Sequence, residues 1–191
     1  MRAYAKALRR LRQQQGVEIR HIRQADNAAV TALIRSVMPE FGADAPGFAF
    51  TDPEVDAMYE AYQNRRCAYW VVIREGCVVG GAGFAPLRGG EAGTCELQKM
   101  YFLPTVRGMG LGARLMHILL ESATAEGFDT MTLETLEQMH RARRLYECFG
   151  FERLEAARGD TGHHGCDAFY ARVLRERHSA VVVAPVRPTS G

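Results

Sequence analysis

Arg107, Gly108, Gly110 and Gly112 occupy the passage from a strand-like run into an amphipathic, helix-like one, within residues 98–115. The chemistry this suits is anion binding. The first turn of a helix carries backbone N–H groups with no intrahelical partner and a partial positive charge. Glycine lets a phosphate approach those groups, because it has no Cβ and accepts backbone angles closed to other residues. A helix cap would account for any one of these glycines, but three at alternate positions beside an arginine point to a phosphate cradle. Gly108, Gly110 and Ala113 also satisfy the dinucleotide pattern G-x-G-x-x-G/A, with Glu134 as the ribose acid. Against that reading, the preceding run Cys95–Met100 carries charge and alternates, where a central parallel strand is nearly continuously apolar. The residues after Met100 are also too few for a doubly wound sheet. No Gly-Lys-Ser/Thr follows the glycines, which excludes a P-loop.

A second cluster lies at Thr161–Asp167, where His163, His164 and Cys166 invite a zinc reading. The spacing supplies neither a fourth ligand nor a second pair, so no metal is expected. The segment reads instead as a loop lining a substrate pocket, with His163 or His164 as proton carrier or substrate contact.

The elements that must position these residues follow from periodicity. Val17–Arg23 alternates as a strand does, and Asp26 offers an N-cap for a helix carrying Val30, Leu33, Ile34 and Val37 on one side. Thr51-Asp52-Pro53-Glu54 reads as a second helix start leading to Met58, Tyr59 and Tyr62. An aromatic loop from Phe41 to Phe50 joins them. Cys67–Arg74 and Cys77–Pro86 form a hairpin through Glu75-Gly76, and Thr94–Leu103 is the strand that leads into the cradle. A helix marked by Leu111, Leu115, Ile118 and Leu119 ends near Gly127, Met131–Leu136 is a strand, and a helix spans Gln138–Phe149. Strands near Phe151–Ala157 and Asp167–Leu174 close the chain. A helix between Thr94–Leu103 and Met131–Leu136 makes them a candidate parallel pair, while the hairpins make the first part antiparallel. The fold class is α+β, a mixed α/β order.

Arg107-x-x-Gly110-x-Gly112 resembles the acetyl-CoA signature Gln/Arg-x-x-Gly-x-Gly/Ala of the GNAT N-acetyltransferase superfamily. Leu145-Tyr146-Glu147-Cys148-Phe149-Gly150-Phe151 resembles that superfamily's later Leu-Tyr-x-x-x-Gly-Phe motif. The resemblance extends over residues 17–175 and is strongest from Glu96 to Phe151. It implies a central, mixed and mostly antiparallel sheet of six to seven strands flanked by about four helices, with a parallel pair splayed around acetyl-CoA. It also implies that the pantetheine arm runs along Met100–Leu103, with the Phe102 amide toward the thioester carbonyl. The pyrophosphate would rest on the N–H groups of Arg107, Gly108, Met109, Gly110, Leu111, Gly112 and Ala113. Tyr146 stands where the family commonly has the tyrosine that protonates the departing thiolate, a step that a phenol of pKa about 10 can perform toward a thiol of about 8.5. Its bland alternative is an aromatic packed between Leu145 and Phe149. Met139 replaces the family's frequent asparagine.

Transfer to an amine also needs a base. Glu96 is the first candidate, a strand carboxylate whose pKa burial would raise, with Gln98 and Met100 sharing its side of the strand. The alternative is a structural charge paired with Lys99 or an arginine. Glu134 is the second candidate, or a contact for the substrate's ammonium. Phe41, Phe48, Phe50 and Tyr59 suggest apolar contact, so a free amino acid or small aminated metabolite is the preferred acceptor. Phe41, Glu134, His163 and His164 are the expected substrate contacts. The expected activity is acyl transfer from acetyl-CoA, without a metal, to a primary amine by direct attack in a ternary complex. An acyl-CoA-sensing module without catalysis, acetylation of a protein or peptide amine, and a nicotinamide-dependent oxidoreductase are the competing readings.

The 191 residues are 47% hydrophobic and 24% charged, which fits one globular domain, and a net charge of +2 is too small to imply nucleic acid binding. Lysine occurs only at Lys6 and Lys99, so nearly all positive charge is arginine. Five cysteines without a C-x-x-C pair read as reduced, buried thiols. No apolar run reaches transmembrane length and the N-terminus lacks the apolar core of a secretory signal, so neither membrane nor export is expected and the location is expected to be cytoplasmic. Residues 1–16 read as a basic extension, 17–177 as the acetyltransferase domain and 178–191 as a flexible tail. The expected partner is a small-molecule amine, with a homodimer left open.

Overall fold

The computed structural model describes residues 16–175, so the basic segment 1–15 and the tail 178–191 lie outside the described residues. A single seven-stranded sheet organises them, in the order β1-β2-β3-β4-β5-β7-β6. The strands are β1 (Val17–His21), β2 (Ala68–Arg74), β3 (Cys77–Pro86), β4 (Thr94–Phe102), β5 (Thr130–Thr135), β6 (Glu152–Leu154) and β7 (Ala168–Val173). Four α-helices accompany them: α1 (Asn27–Val37), α2 (Met58–Ala61), α3 (Leu111–Ala125) and α4 (His140–Cys148). Every neighbouring strand pair is antiparallel except β4 with β5.

Local chemistry explains the first half. Glu75 and Gly76 take φ of 53° and 78°, the left-handed pair that a two-residue hairpin needs between right-twisted strands, and they join β2 to β3. Along β2, Tyr69 and Val71 belong to one hydrophobic cluster while Trp70 and Val72 belong to another, so strict alternation gives the sheet two cores. The first cluster takes Val30 and Ile34 from α1 and Met58 from α2. The second takes Leu111, Leu115, Met116 and Leu119 from α3, with Phe128 beneath. The helix start expected at Asp52 is instead two short 3-10 turns, at Ala49–Thr51 and Pro53–Ala57, ahead of the four-residue α2. No side-chain capping bond forms at Asp52, because its carboxylate is engaged elsewhere.

Two features of β4 position the site. Its parallel pairing to β5 covers only Thr94–Glu96 against Thr130–Thr132, after which the strands diverge. Opposite Ala82 the register slips, with Gly81 paired to Tyr101 and Gly83 to Gln98, so Lys99 and Met100 together face one residue. This is a β-bulge, and Lys99 takes φ 51° in it. Before the bulge, Cys95 and Leu97 point to the α3 side; after it, Met100 and Phe102 do. Met100 therefore does not share the side of Glu96 and Gln98 that simple alternation assigns it. Lys99 and Tyr101 take that side instead.

The cysteines also differ from expectation. All are free, but Cys77 and Cys148 are exposed and only Cys95 is fully buried.

Candidate active site

The divergence of β4 from β5 opens a cleft of about 670 Å³ between the end of β4, the glycine turn and α4. Gly108 and Gly110 have φ of 80° and 85°, which L side chains adopt only under strain. Gly110 is the N-cap of α3 and no side chain caps that end, so the first-turn N–H groups stay available to a ligand. Gly112 has ordinary angles and sits in tight space: a Cβ there would stand 3.2 Å from Leu145 Cδ2 and 3.6 Å from Met100 Cε. Met100, Phe102, Arg107, Gly108, Gly110, Leu111 and Gly112 all line this cleft. Met109 and Ala113 do not. Met109 is buried, and its sulfur accepts from Arg74 Nη1 at 3.5 Å.

Arg107 does not project its charge into the cradle. Its Nη1 and Nη2 bind the two Glu40 oxygens at 2.7 and 3.0 Å, and its Nε donates to the Phe102 carbonyl at 2.8 Å. Phe41 belongs to the same corner, its ring 5.7 Å from the guanidinium and its carbonyl accepting from Gln138 Nε2. The structure thus places Phe41 in the nucleotide-sized cleft and not in the second cavity described next. Leu103 N–H donates to Val79 O at 2.9 Å toward β3, and alternation turns the Phe102 amide the other way, toward the splay.

A second, smaller cavity of about 60 Å³ lies on the α1 side of the splay. Glu96 and Glu134 enter it from β4 and β5, and His163 from the loop before β7. That loop is docked on the aromatic segment: Gly165 N–H donates to Gly47 O at 3.0 Å, and a Cβ at Gly165 would stand 2.3 Å from Phe48 Cζ. His164 is exposed and lines neither cavity.

The polar groups around this cavity form a chain. Lys99, whose side chain is 2% exposed, donates to Asp52 at 2.9 Å and to Glu54 at 3.1 Å. Asp52 Oδ2 bonds His163 Nε2 at 3.1 Å, and His163 Nδ1 lies 3.9 Å from Glu96 Oε1. Glu96 accepts from Gln98 Nε2 at 2.7 Å, and Gln98 Oε1 accepts from Tyr62 at 2.8 Å. Lys99 therefore pairs with Asp52 and Glu54 and not with Glu96, 4% exposed, whose nearest basic neighbour is His163.

Burial raises the Glu96 carboxyl above its usual range, against the Gln98 hydrogen bond that lowers it. Glu134 is raised by burial too, and Thr161 donates to it at 2.8 Å. His163 is raised by its hydrogen bond to Asp52 and the nearby carboxylates, outweighing burial. Burial alone would raise Asp52, yet the His163 hydrogen bond and the Lys99 charge hold it low. Burial pushes the Cys166 thiol at the cavity wall up to about 12, leaving it protonated.

Tyr146 joins the two spaces. With Met100, Tyr101 and Met139 it lines both. Burial keeps its phenol protonated far above neutral pH. Among the described residues no group hydrogen-bonds its hydroxyl, whereas Tyr62, Tyr69 and Tyr170 all have partners.

Sequence reasoning missed Asp52, Glu54 and Lys99 as site residues. Asp52-Pro53 looks like a helix cap, and the bulge that turns Lys99 has no signature in residue types. One signal was present: Lys99 is one of two lysines in an arginine-rich chain. Among the described residues no group of histidine, cysteine and carboxylate side chains is arranged to hold a metal, the loop at His163 included.

Comparison with known proteins agrees with this geometry. Residues 30–151 match the model of the acetyltransferase (GNAT) family. The chain is 45% identical over 159 residues to the uncharacterized N-acetyltransferase YjgM of Escherichia coli, covering 83% of this chain and 93% of that one. It superimposes on an acetyltransferase of Staphylococcus aureus Mu50 with a TM-score of 0.72 at 19% identity, over 83% of this chain and 99% of that one. It also matches yncA of Salmonella typhimurium, solved with its cofactor acetyl-CoA, with a TM-score of 0.69 at 26% identity over 89% and 100% of the two chains.

Proposed function

The chain belongs to the GNAT family of N-acetyltransferases, and from that premise we propose that it moves an acetyl group from acetyl-CoA to a primary amine of a small molecule, by direct attack with both substrates bound. The observation that carries this reading is that a nucleotide-sized cleft and a small acidic cavity meet at Tyr146.

The cleft suits acetyl-CoA in three respects. It offers uncapped N–H groups at the start of α3, glycines where a Cβ would narrow it, and a β4 edge that β5 has left. Acetyl-CoA, the cofactor present in the yncA structure, would supply an activated acetyl group. Gly108, Gly110, Leu111 and Gly112 hold phosphate oxygens through backbone N–H groups, and Met100 and Phe102 flank the arm. The Phe102 amide, turned toward the splay, is oriented to donate to a carbonyl oxygen as negative charge builds there. Arg107 contributes by fixing the peptide at Phe102 and the Glu40 corner.

Glu96 takes the amine's proton. Its burial raises its basicity, and His163 and Asp52 lead from it toward the outer side of the cavity. Tyr146 holds the proton that the departing sulfur requires, on a hydroxyl free of competing bonds. Glu134 attracts the ammonium form of the incoming amine.

Thiol release measured with acetyl-CoA and a panel of small primary amines tests this reading, with the acetylated product identified by mass. Turnover with at least one amine is expected. Tyr146→Phe is expected to lower kcat by about 10²-fold or more, with the acetyl-CoA Kd within about twofold of wild type. Intact acetyl-CoA binding with no thiol release from any amine would favour a sensor in place of an enzyme.

A further inference from the structure

The charges in the wall of the smaller cavity are distributed unevenly, and the distribution bears on what the acceptor carries beside its amine. Four charged side chains line the cavity: the carboxylates Glu96 and Glu134 and the cations Lys99 and His163. The carboxylates are served by neutral donors, Glu96 by Gln98 at 2.7 Å and Glu134 by Thr161 at 2.8 Å. The cations, by contrast, are bound to carboxylates. Lys99 is held between Asp52 and Glu54. One ring nitrogen of His163 bonds Asp52 at 3.1 Å and the other lies 3.9 Å from Glu96. Among the described residues no other cation lines this cavity. Arg107, Arg141 and Arg144 line the other cleft, and Arg107 is bound to Glu40.

The cavity is small, about 60 Å³, and partly open. A carboxylate on the amine-bearing carbon would lie among Glu96 and Glu134, with no unpaired basic side chain in the lining to meet it. Like charges brought together out of water are strongly disfavoured. Met38, Ala43, Phe48 and Leu136 add an apolar part to a lining that also includes Gln98 and Thr135.

We infer that the acceptor is a primary amine whose amine-bearing carbon carries no carboxylate, such as an alkylamine, an arylalkylamine or the distal amine of a longer molecule, and not the α-amine of an amino acid. This inference rests on the acetyltransferase reading of the same site and departs from the amino acid that the sequence suggests. The hydrogen bonds on both wall carboxylates come from neutral donors, Gln98 and Thr161, and His163, whose Nε2 is already bound to Asp52, is the one basic side chain within 4 Å of either, which leaves room for an ammonium to bind them.

The test compares amines with their α-carboxylated counterparts: phenethylamine with phenylalanine, ethanolamine with serine, and cadaverine with lysine. The wild-type enzyme is assayed with acetyl-CoA, and kcat/KM is read from thiol release. The uncarboxylated member is expected to exceed its partner by about tenfold or more in each pair that is turned over. Lysine, if acetylated, is expected to yield the Nε product. Glu134→Gln, with folding checked by thermal melting, is expected to shrink the preference by about threefold or more, since half the wall charge is gone. Equal or higher kcat/KM for the carboxylated members, or Nα-acetyllysine as the main product, would overturn the inference and leave the enzyme reading standing. Acetyl-CoA binding without thiol release from any of the six compounds would overturn both.

Discussion

In the proposed reaction Glu96 and Tyr146 have opposite tasks, and the same physical effect, burial, acts on both. Removing water raises both pKa values. For a carboxylate this makes a better base near neutral pH; for a phenol it keeps the proton in place, while making its release to sulfur harder. The sign of the pH dependence follows. A base works only when deprotonated, so kcat/KM falls as pH drops through the Glu96 pKa, and the raised value places that limb above the ordinary glutamate value of about 4.3. Glu96→Gln is expected to lower kcat/KM by about 10²-fold and to abolish that limb, as read from a pH–rate profile. A limb that persists in the variant would move the role of base to His163 or Glu134.

At the scale of elements, the bulge in β4 decides which residues meet. Alternation alone would put Glu96 and Lys99 on opposite sides of the sheet. The extra residue turns Lys99 toward Asp52 and Glu54, which come from the turns ahead of α2, and through Asp52 toward the His163 loop. Three segments far apart in sequence are thereby tied by one buried ammonium. Asp52→Asn leaves Lys99 with Glu54 alone, and a loss of about 2 kcal/mol in unfolding free energy is expected by denaturant titration. His163 gives a second readout. Its pKa is raised in the folded protein, so its ionic contribution is present at low pH and fades as pH rises through the folded value. In Asp52→Asn the imidazole midpoint, followed by NMR, should fall toward about 6.5, and the stability gap between variant and wild type should narrow at alkaline pH. An unmoved midpoint would mean that Asp52 does not set the charge of His163.

Over the whole molecule, the sheet is built to come apart at one place. β1 to β4 form a continuous antiparallel meander and β5, β7 and β6 a second group, joined through the short parallel contact at Thr94–Glu96. Beyond that contact the unpaired edge of β4 and the start of α3 face the same space. A ligand binding there bridges the two groups and favours the native state by mass action. CoA at about 100 times its Kd should add about 2.7 kcal/mol. In a protein of this size that corresponds to a rise in Tm of roughly 5–10 °C, measured by differential scanning calorimetry. Gly110→Val places a β-branched side chain at a φ of 85° in the cradle, and is expected to abolish the rise while the protein still melts cooperatively. A full ligand-induced shift in that variant would put the phosphate site elsewhere.

Residue types and spacing by themselves determined the donor half of this protein. The glycines at 108, 110 and 112, the hairpin at Glu75-Gly76 and the helix stripe at Leu111, Leu115 and Leu119 are local signals, because backbone angles and short-range periodicity leave direct marks on sequence. The antiparallel pairing of the first half was legible for the same reason. The electrostatic state of each charge depended on tertiary structure. Arg107 reads as a phosphate contact, yet Glu40 lies 67 residues away in sequence and binds its guanidinium. Asp52 reads as a helix cap, yet Lys99 and His163 bind it across 47 and 111 residues. A one-residue bulge redirected Lys99 without any change in composition to announce it. Whether a charged side chain is free or already paired is fixed by long-range contact, and on that pairing the proposed choice of acceptor rests.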